Sequence, residues 1–192
     1  MMKKLAVLAS GSGSNFEAIV NQSTGAYEVV LLMTDRDDAY ALQRAERLGI
    51  PTRSISPKSF EDKVTYEQAV LDAIQSHGIE WIALAGYMRI VGPTLLKPYE
   101  DRIVNVHPSL LPNFPGKDAI AQALDAGVME TGVTVHYIDE GVDTGPIISQ
   151  QAVEVEERDT YETLQQKIRQ VEHELYPKTL TKIIREDELV GK

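Results

Sequence analysis

Apolar and polar positions follow two rhythms along this chain, and the switches between them lay out its elements. Short apolar or alternating runs at 5–9, 27–33, 52–55, 81–85, 103–106, 133–137 and 147–155 predict strands. Between them, helical spacing predicts helices over 15–22, 41–48, 59–77, a short one from Pro93 to about Tyr99, 117–126 and 160–186. In the helix over 59–77 the expected buried stripe is Phe60, Val64, Ala69, Val70, Ala73 and Ile74. In the run 133–137, Val133, Val135 and Tyr137 alternate with Thr134 and His136, which predicts a strand with one exposed or partly covered face and a structural His136. The last helix carries Leu164, Ile168, Val171 and Leu175 along one stripe, and Pro177 is expected to kink or break it. Strands alternating with helices imply an α/β fold, Rossmann-like, with a mostly parallel twisted sheet of about seven strands covered by helices on both faces.

The 192 residues suit one domain, and no linker, repeat or low-complexity tract divides them. A net charge of −10 argues against nucleic-acid binding, because neutralising phosphates takes clustered Lys and Arg. With no cysteine, disulfides, thiolate catalysis and thiolate metal sites are excluded together. The opening Lys3-Lys4 and the short apolar run after them fall short of a signal peptide, and no stretch approaches the roughly 20 apolar residues of a membrane span. A cytoplasmic protein without a membrane partner is expected.

Two stretches carry chemistry. After the first strand, Gly11-Ser12-Gly13-Ser14-Asn15 opens a helix; glycines allow close backbone approach, and free N–H groups with the Ser12 and Ser14 hydroxyls suit a single phosphate group. A dinucleotide fingerprint would need glycine where Phe16 stands, even with Asp35 as the ribose-binding acid, and a P-loop would need a lysine. An ordinary βα turn is the competing reading. The second stretch is Ile103 to Gly116. Asn105 and His107 lie two apart on a strand, so they share a face, and Pro108, Pro112 and Pro115 then force a stiff loop at the strand's carboxyl end. In open α/β sheets ligands bind there. An imidazole suits proton transfer near neutral pH and an amide can stabilise an oxygen gaining charge; Asp143 would complete the set if the fold brings it close. Spacing alone favours a structural histidine, since one His at a strand end is more often structural than catalytic.

GSGSN, LAGYMRI, NVHPSLLPNFPG, GVTVHY, VDTGPII and EHELYP, in this order over essentially the whole chain, resemble the folate-dependent formyltransferases. GSGSN and EHELYP are similar to the purine-pathway branch of that family. The resemblance implies the formyltransferase fold and transfer of the formyl group of the co-substrate 10-formyltetrahydrofolate to the glycyl amine of glycinamide ribonucleotide, with no metal. It implies catalysis by Asn105, His107 and Asp143, and ribonucleotide binding by Ser12, Gly13, Ser14, Asn15, Pro108 and Glu172. Folate would meet Lys63, Met88, Arg89, Ile90, Val91, Leu96, Ile103, Asp139 and Glu140. It further implies that residues 1–100 serve the ribonucleotide and residues 101–192 serve folate and catalysis. Lys63 stands where the family carries a basic residue with a bidentate fork, Lys117-Asp118 where many members carry a histidine, and Leu111-Pro112 where the family has a cis bond.

The nearest rival is a formyltetrahydrofolate deformylase, in which water replaces the amine; it has no use for a phosphate loop. A transfer-RNA formyltransferase shares HPSLLP but needs a nucleic-acid-binding domain, at odds with the acidic balance. An aspartic protease, suggested by Asp143-Thr144-Gly145, needs a second carboxylate and an all-β fold. A Rossmann-like binding protein without catalysis would leave Asn105, His107 and Asp143 unexplained.

Overall fold

The structure is a computed structural model that describes residues 1–191. Its centre is a seven-stranded sheet of β1 (Lys3–Leu8), β2 (Tyr27–Thr34), β3 (Thr52–Ser54), β4 (Trp81–Leu84), β5 (Ile103–His107), β6 (Glu130–Tyr137) and β7 (Ile147–Glu154), in the order β3-β2-β1-β4-β5-β6-β7. The first five strands run parallel; β6 is antiparallel to β5, and β7 antiparallel to β6. The helices are α1 (Ser14–Asn21), α2 (Tyr40–Leu48), α3 (Lys63–Ser76), α4 (Pro93–Leu96), α5 (Ala119–Asp125) and α6 (Tyr161–Val190).

Leu5 to Leu8 are wholly buried because both sheet faces are covered, which is why the strand is an unbroken apolar run. The strand period divides them. Leu5 and Val7 join Phe16, Ile19, Ala41, Ile168 and Leu180 beneath α1, α2 and α6. Ala6 and Leu8 join Tyr66, Val70, Ile74 and Leu95 beneath α3 and α4. The chain builds outward from β1 to β3 and then returns to place β4 on the other side of β1, so the strand order reverses between β1 and β4. The loops leaving those two strands diverge there and open a crevice at their carboxyl ends.

Three expectations need correction. The third helix begins at Lys63, because the Asp62 carboxylate accepts the Thr65 N–H at 2.8 Å and caps it there; Pro57–Ser59 form a separate 3-10 turn. Its buried stripe is Tyr66, Glu67, Val70, Leu71 and Ile74, and Val64 is 62% exposed. Strand β6 is buried on both faces from Thr131 to His136. Its polar positions do not face water: the Thr134 hydroxyl donates to the Ser109 carbonyl at 2.7 Å and accepts the Leu111 N–H at 3.0 Å, so the alternation marks a face covered by the proline loop. Finally, α6 runs unbroken through Pro177 to Val190. Proline removes the amide that would have bonded the His173 carbonyl, and the Gln22 side chain donates to that carbonyl instead, at 2.7 Å.

Candidate active site

Residues from β4, β5, α1, α5, α6 and the connecting loops line a cleft of about 880 Å³. Its floor is the end of β5, where Asn105 and His107 point to the same side as the strand period requires. His107 is only 5% exposed. Its Nε2–H donates to the Phe114 carbonyl at 2.8 Å, and Nδ1 lies 3.4 Å from Asp143 Oδ2. The second Asp143 tie is a backbone one, since Gly116 N–H donates to the same oxygen at 2.8 Å. Both ring nitrogens of His107 therefore face acceptors.

Asp143 is held by a loop with its own internal frame. Asp139 Oδ1 accepts from the Gly141 N–H at 2.9 Å and from the Thr144 hydroxyl at 2.7 Å, and the Thr144 bond holds the Asp139 carboxyl below its usual range. Asp143 itself takes a φ of 55°. Asparagine and aspartate tolerate that left-handed conformation better than most side chains.

The antiparallel register sets His136 directly beside Asn105. Its Nδ1–H donates to the Tyr137 carbonyl at 2.8 Å, leaving Nε2 as an acceptor 3.4 Å from Asn105 Nδ2 and 3.7 Å from Asp143 Oδ1. Burial pushes the His136 ring below its ordinary pKa, so the approach to Asp143 is that of a neutral ring and not an ion pair. The sequence pattern treats His136 as structural; the structure places it behind the two central residues, where it orients the Asn105 amide.

At the other end of the cleft, Gly11 to Asn15 turn into α1. Gly13 has a φ of 75°, and a Cβ there would stand 2.7 Å from the Cβ of Ala41, so only glycine fits. The Ala41 N–H donates to the Gly11 carbonyl at 3.1 Å and Arg44 Nε to the Ser12 carbonyl at 2.7 Å, shaping the loop from α2. No side chain caps α1, so its first N–H groups are left free of such a partner, and Ser12, Gly13, Ser14 and Asn15 line the cleft. Asn15 Nδ2 donates to Glu172 Oε2 at 3.0 Å. Glu172 is 8% exposed, and burial raises its carboxyl pKa from the ordinary 4.5, with the Asn15 bond opposing. Stability from this group is thus full below pH 4.5 and declines as pH rises through the raised folded value. Glu172→Gln is expected to raise the melting temperature at pH 8 more than at pH 4, in thermal denaturation followed by circular dichroism; an equal shift at both would contradict the buried-carboxyl account.

The structure gathers Ser12 to Asn15, Met88 to Val91, Asn105, His107, Pro108, Asp139, Asp143 and Glu172 around this one cleft. Lys63 is exposed on the first turn of α3, Ile103 is buried in the core beneath α3 and α4, Leu96 on α4 is half-buried against that core, and Glu140 is exposed; these four lie outside the cleft lining. Lys117 and Asp118 line it as well, and Tyr161, Gln165 and Arg169 line it without having been singled out in the sequence. These last three could have been found from Glu172, because positions 161, 165, 169 and 172 share one helix face. The peptide Leu111-Pro112 is cis.

A family profile described as formyl transferase matches residues 3–180. The chain is 50% identical over 186 residues to phosphoribosylglycinamide formyltransferase of Bacillus subtilis, spanning 95% of each. It is 43% identical over 180 residues to the trifunctional purine biosynthetic protein adenosine-3 of Gallus gallus, spanning 92% of this chain and 18% of that protein. The crystal structure of glycinamide ribonucleotide transformylase 1 from Geobacillus kaustophilus superposes with a TM-score of 0.92 at 53% identity, over 96% of this chain and 100% of that one. These matches run from the first strand into the last helix and take in both ends of the cleft, and on them the chain belongs to the formyl transferase family.

Proposed function

We propose that this chain transfers the formyl group of 10-formyltetrahydrofolate to the glycyl amine of glycinamide ribonucleotide, giving N-formylglycinamide ribonucleotide and tetrahydrofolate. The observation that carries the reading is that Asn105, His107 and Asp143 line the same cleft as the Ser12 to Asn15 loop and the exposed apolar residues Met88 and Ile90. An amine held at one side and a formyl group at the other would meet over these three side chains.

The residue types follow from the reaction. The amine nitrogen attacks the formyl carbon, whose oxygen takes up negative charge; the Asn105 amide and the His107 ring, once turned toward it, donate to that oxygen. The amine then loses a proton as the bond from carbon to the folate nitrogen breaks, and that nitrogen must gain one. Asp143, beside His107, is placed to accept the first proton, through water, and to keep the ring charged and oriented. The ribonucleotide phosphate would sit on Ser12 to Asn15 with Arg169 near, and Glu172 would hold the polar end of the sugar-glycinamide unit. Folate would lie against Met88 to Val91 and the loop at Asp139. Each substrate would draw on both halves of the chain, 1–100 and 101–192. No helix among the described residues is long and apolar enough to cross a membrane, and a cytoplasmic site of action fits two dissolved small-molecule substrates.

The test is to supply folate carrying an isotopically labelled formyl group and to look for the label on the glycyl nitrogen of the ribonucleotide by mass spectrometry. Label in free formate, with none on the ribonucleotide, would refute the reading. Replacing Ser12 and Ser14 together by Ala is expected to raise the KM for the ribonucleotide roughly tenfold, as loss of two weak hydrogen bonds to a charged group would, and to leave that for folate within about twofold. Equal rises for both substrates would argue against a phosphate site.

A further inference from the structure

The segment from Gly86 to Gly92 forms no helix or strand, yet Gly86 to Val91 make one wall of the cleft. Met88 is 72% and Ile90 60% exposed, whereas Tyr87 and Val91 pack on the core beneath α3 and α4. Side chains from three neighbouring elements tie the rest of the wall down. Ser10, after β1, accepts the Met88 N–H at 2.8 Å; Asp35, after β2, accepts from Arg89 Nε at 2.8 Å; the Tyr66 hydroxyl on α3 meets that of Tyr87 at 2.7 Å. The last tie is Glu67 Oε1, which accepts the Gly92 N–H at 2.5 Å.

Glu67 is the costly member of this set. It is buried, its one hydrogen bond is to Gly92, and the nearest cation, Lys63 Nζ, is 3.9 Å away. A buried carboxylate with so little compensation lowers stability, and a leucine on this helix face would pack without that cost. A Cβ at Gly92 would stand 2.7 Å from Glu67 Oε2, so an alanine there is admitted only if the Glu67 carboxylate moves away from the Gly92 amide. We infer that Glu67 is a positioning residue for the folate co-substrate: its carboxylate grips the Gly92 amide and sets the wall from Gly86 to Val91 in the conformation that receives the pterin. This rests on the proposed function, through the assignment of that wall to folate.

The test is a double-mutant cycle on the full chain, with KM for each substrate, kcat and melting temperature measured for wild type, Glu67→Ala, Gly92→Ala and the double variant, and with Glu67→Gln as the rescue. Loss of the grip is expected to raise the folate KM of Glu67→Ala roughly tenfold, with kcat and the ribonucleotide KM within about threefold. Glu67→Gln keeps an acceptor oxygen and is expected to return the folate KM to within about threefold of wild type. Gly92→Ala is expected to raise the folate KM in the presence of Glu67 and to add little once Glu67 is Ala, since the clash is with that carboxylate. A lower melting temperature with an unchanged folate KM, equal rises for both substrates, or an additive cycle would each overturn the inference. If Glu67→Ala fails to fold, Gly92→Ala against wild type decides the same question by the selectivity of its KM change. No formyl transfer by the wild-type chain would remove the proposed function and this inference together; wild-type transfer with a folate KM indifferent to Glu67 and Gly92 removes this inference alone.

Discussion

Asp143→Asn is expected to lower kcat roughly 10²- to 10⁴-fold, the range spanned by removal of one positioned acid-base group, and to leave both KM values within a few-fold. Asparagine fills the same space, and its carbonyl oxygen can still accept the Gly116 N–H that now bonds Asp143 Oδ2 at 2.8 Å. What it lacks is the negative charge 3.4 Å from His107 Nδ1 and a site able to take up a proton. The loss should therefore fall on turnover and spare binding. Steady-state kinetics with each substrate varied in turn would show the split, and near-normal turnover would remove Asp143 from the mechanism.

Gly145→Ala is expected to damage both stability and turnover. A Cβ at Gly145 would overlap the Tyr137 carbonyl oxygen, and backbone cannot move aside as a flexible side chain can. The next residue is tied to the same place, with Tyr137 N–H donating to the Pro146 carbonyl at 2.9 Å. The strain must pass into the segment from Asp139 to Thr144 that carries Asp143. A loss of about 1–3 kcal/mol of stability, typical of overpacking, should appear in chemical denaturation. Turnover should fall well beyond what partial unfolding accounts for, because a displacement of about 1 Å in a catalytic group can cost about 10²-fold. An active variant of native stability would show that this loop tolerates repositioning and that Asp143 is not held as described.

The parts of this fold that are legible in the sequence depend on local rules. Leu5 to Leu8 announce a strand covered on both faces, and Asn105 and His107 are matched because a strand returns to the same face every second residue. What depends on neighbours far along the chain is not legible. His136 stands beside Asn105 only because β6 pairs with β5 in one particular register, and nothing within the run 133–137 reveals its partner strand. Thr134 and His136 look solvent-facing because polar residues on a strand usually are; here the proline loop covers Thr134 and supplies its hydrogen bonds, and His136 is buried against Asn105. Val64 falls outside the buried stripe because Asp62 starts α3 later than the apolar spacing implies. Pro177 does not break α6 because its consequence for the His173 carbonyl is repaired by Gln22, which donates from α1's far end across a long separation in the chain.

The central claim is that a formyl group passes from folate to a ribonucleotide amine at Asn105, His107 and Asp143. The measurement that meets it most directly is spectrophotometric: 10-formyltetrahydrofolate with the wild-type chain, followed for loss of the formyl group in the presence and absence of glycinamide ribonucleotide. The account predicts deformylated folate only when the ribonucleotide is present. Deformylation at the same rate without it would mean that water is the nucleophile, and the roles given to Ser12 through Asn15 and to Glu172 would be wrong.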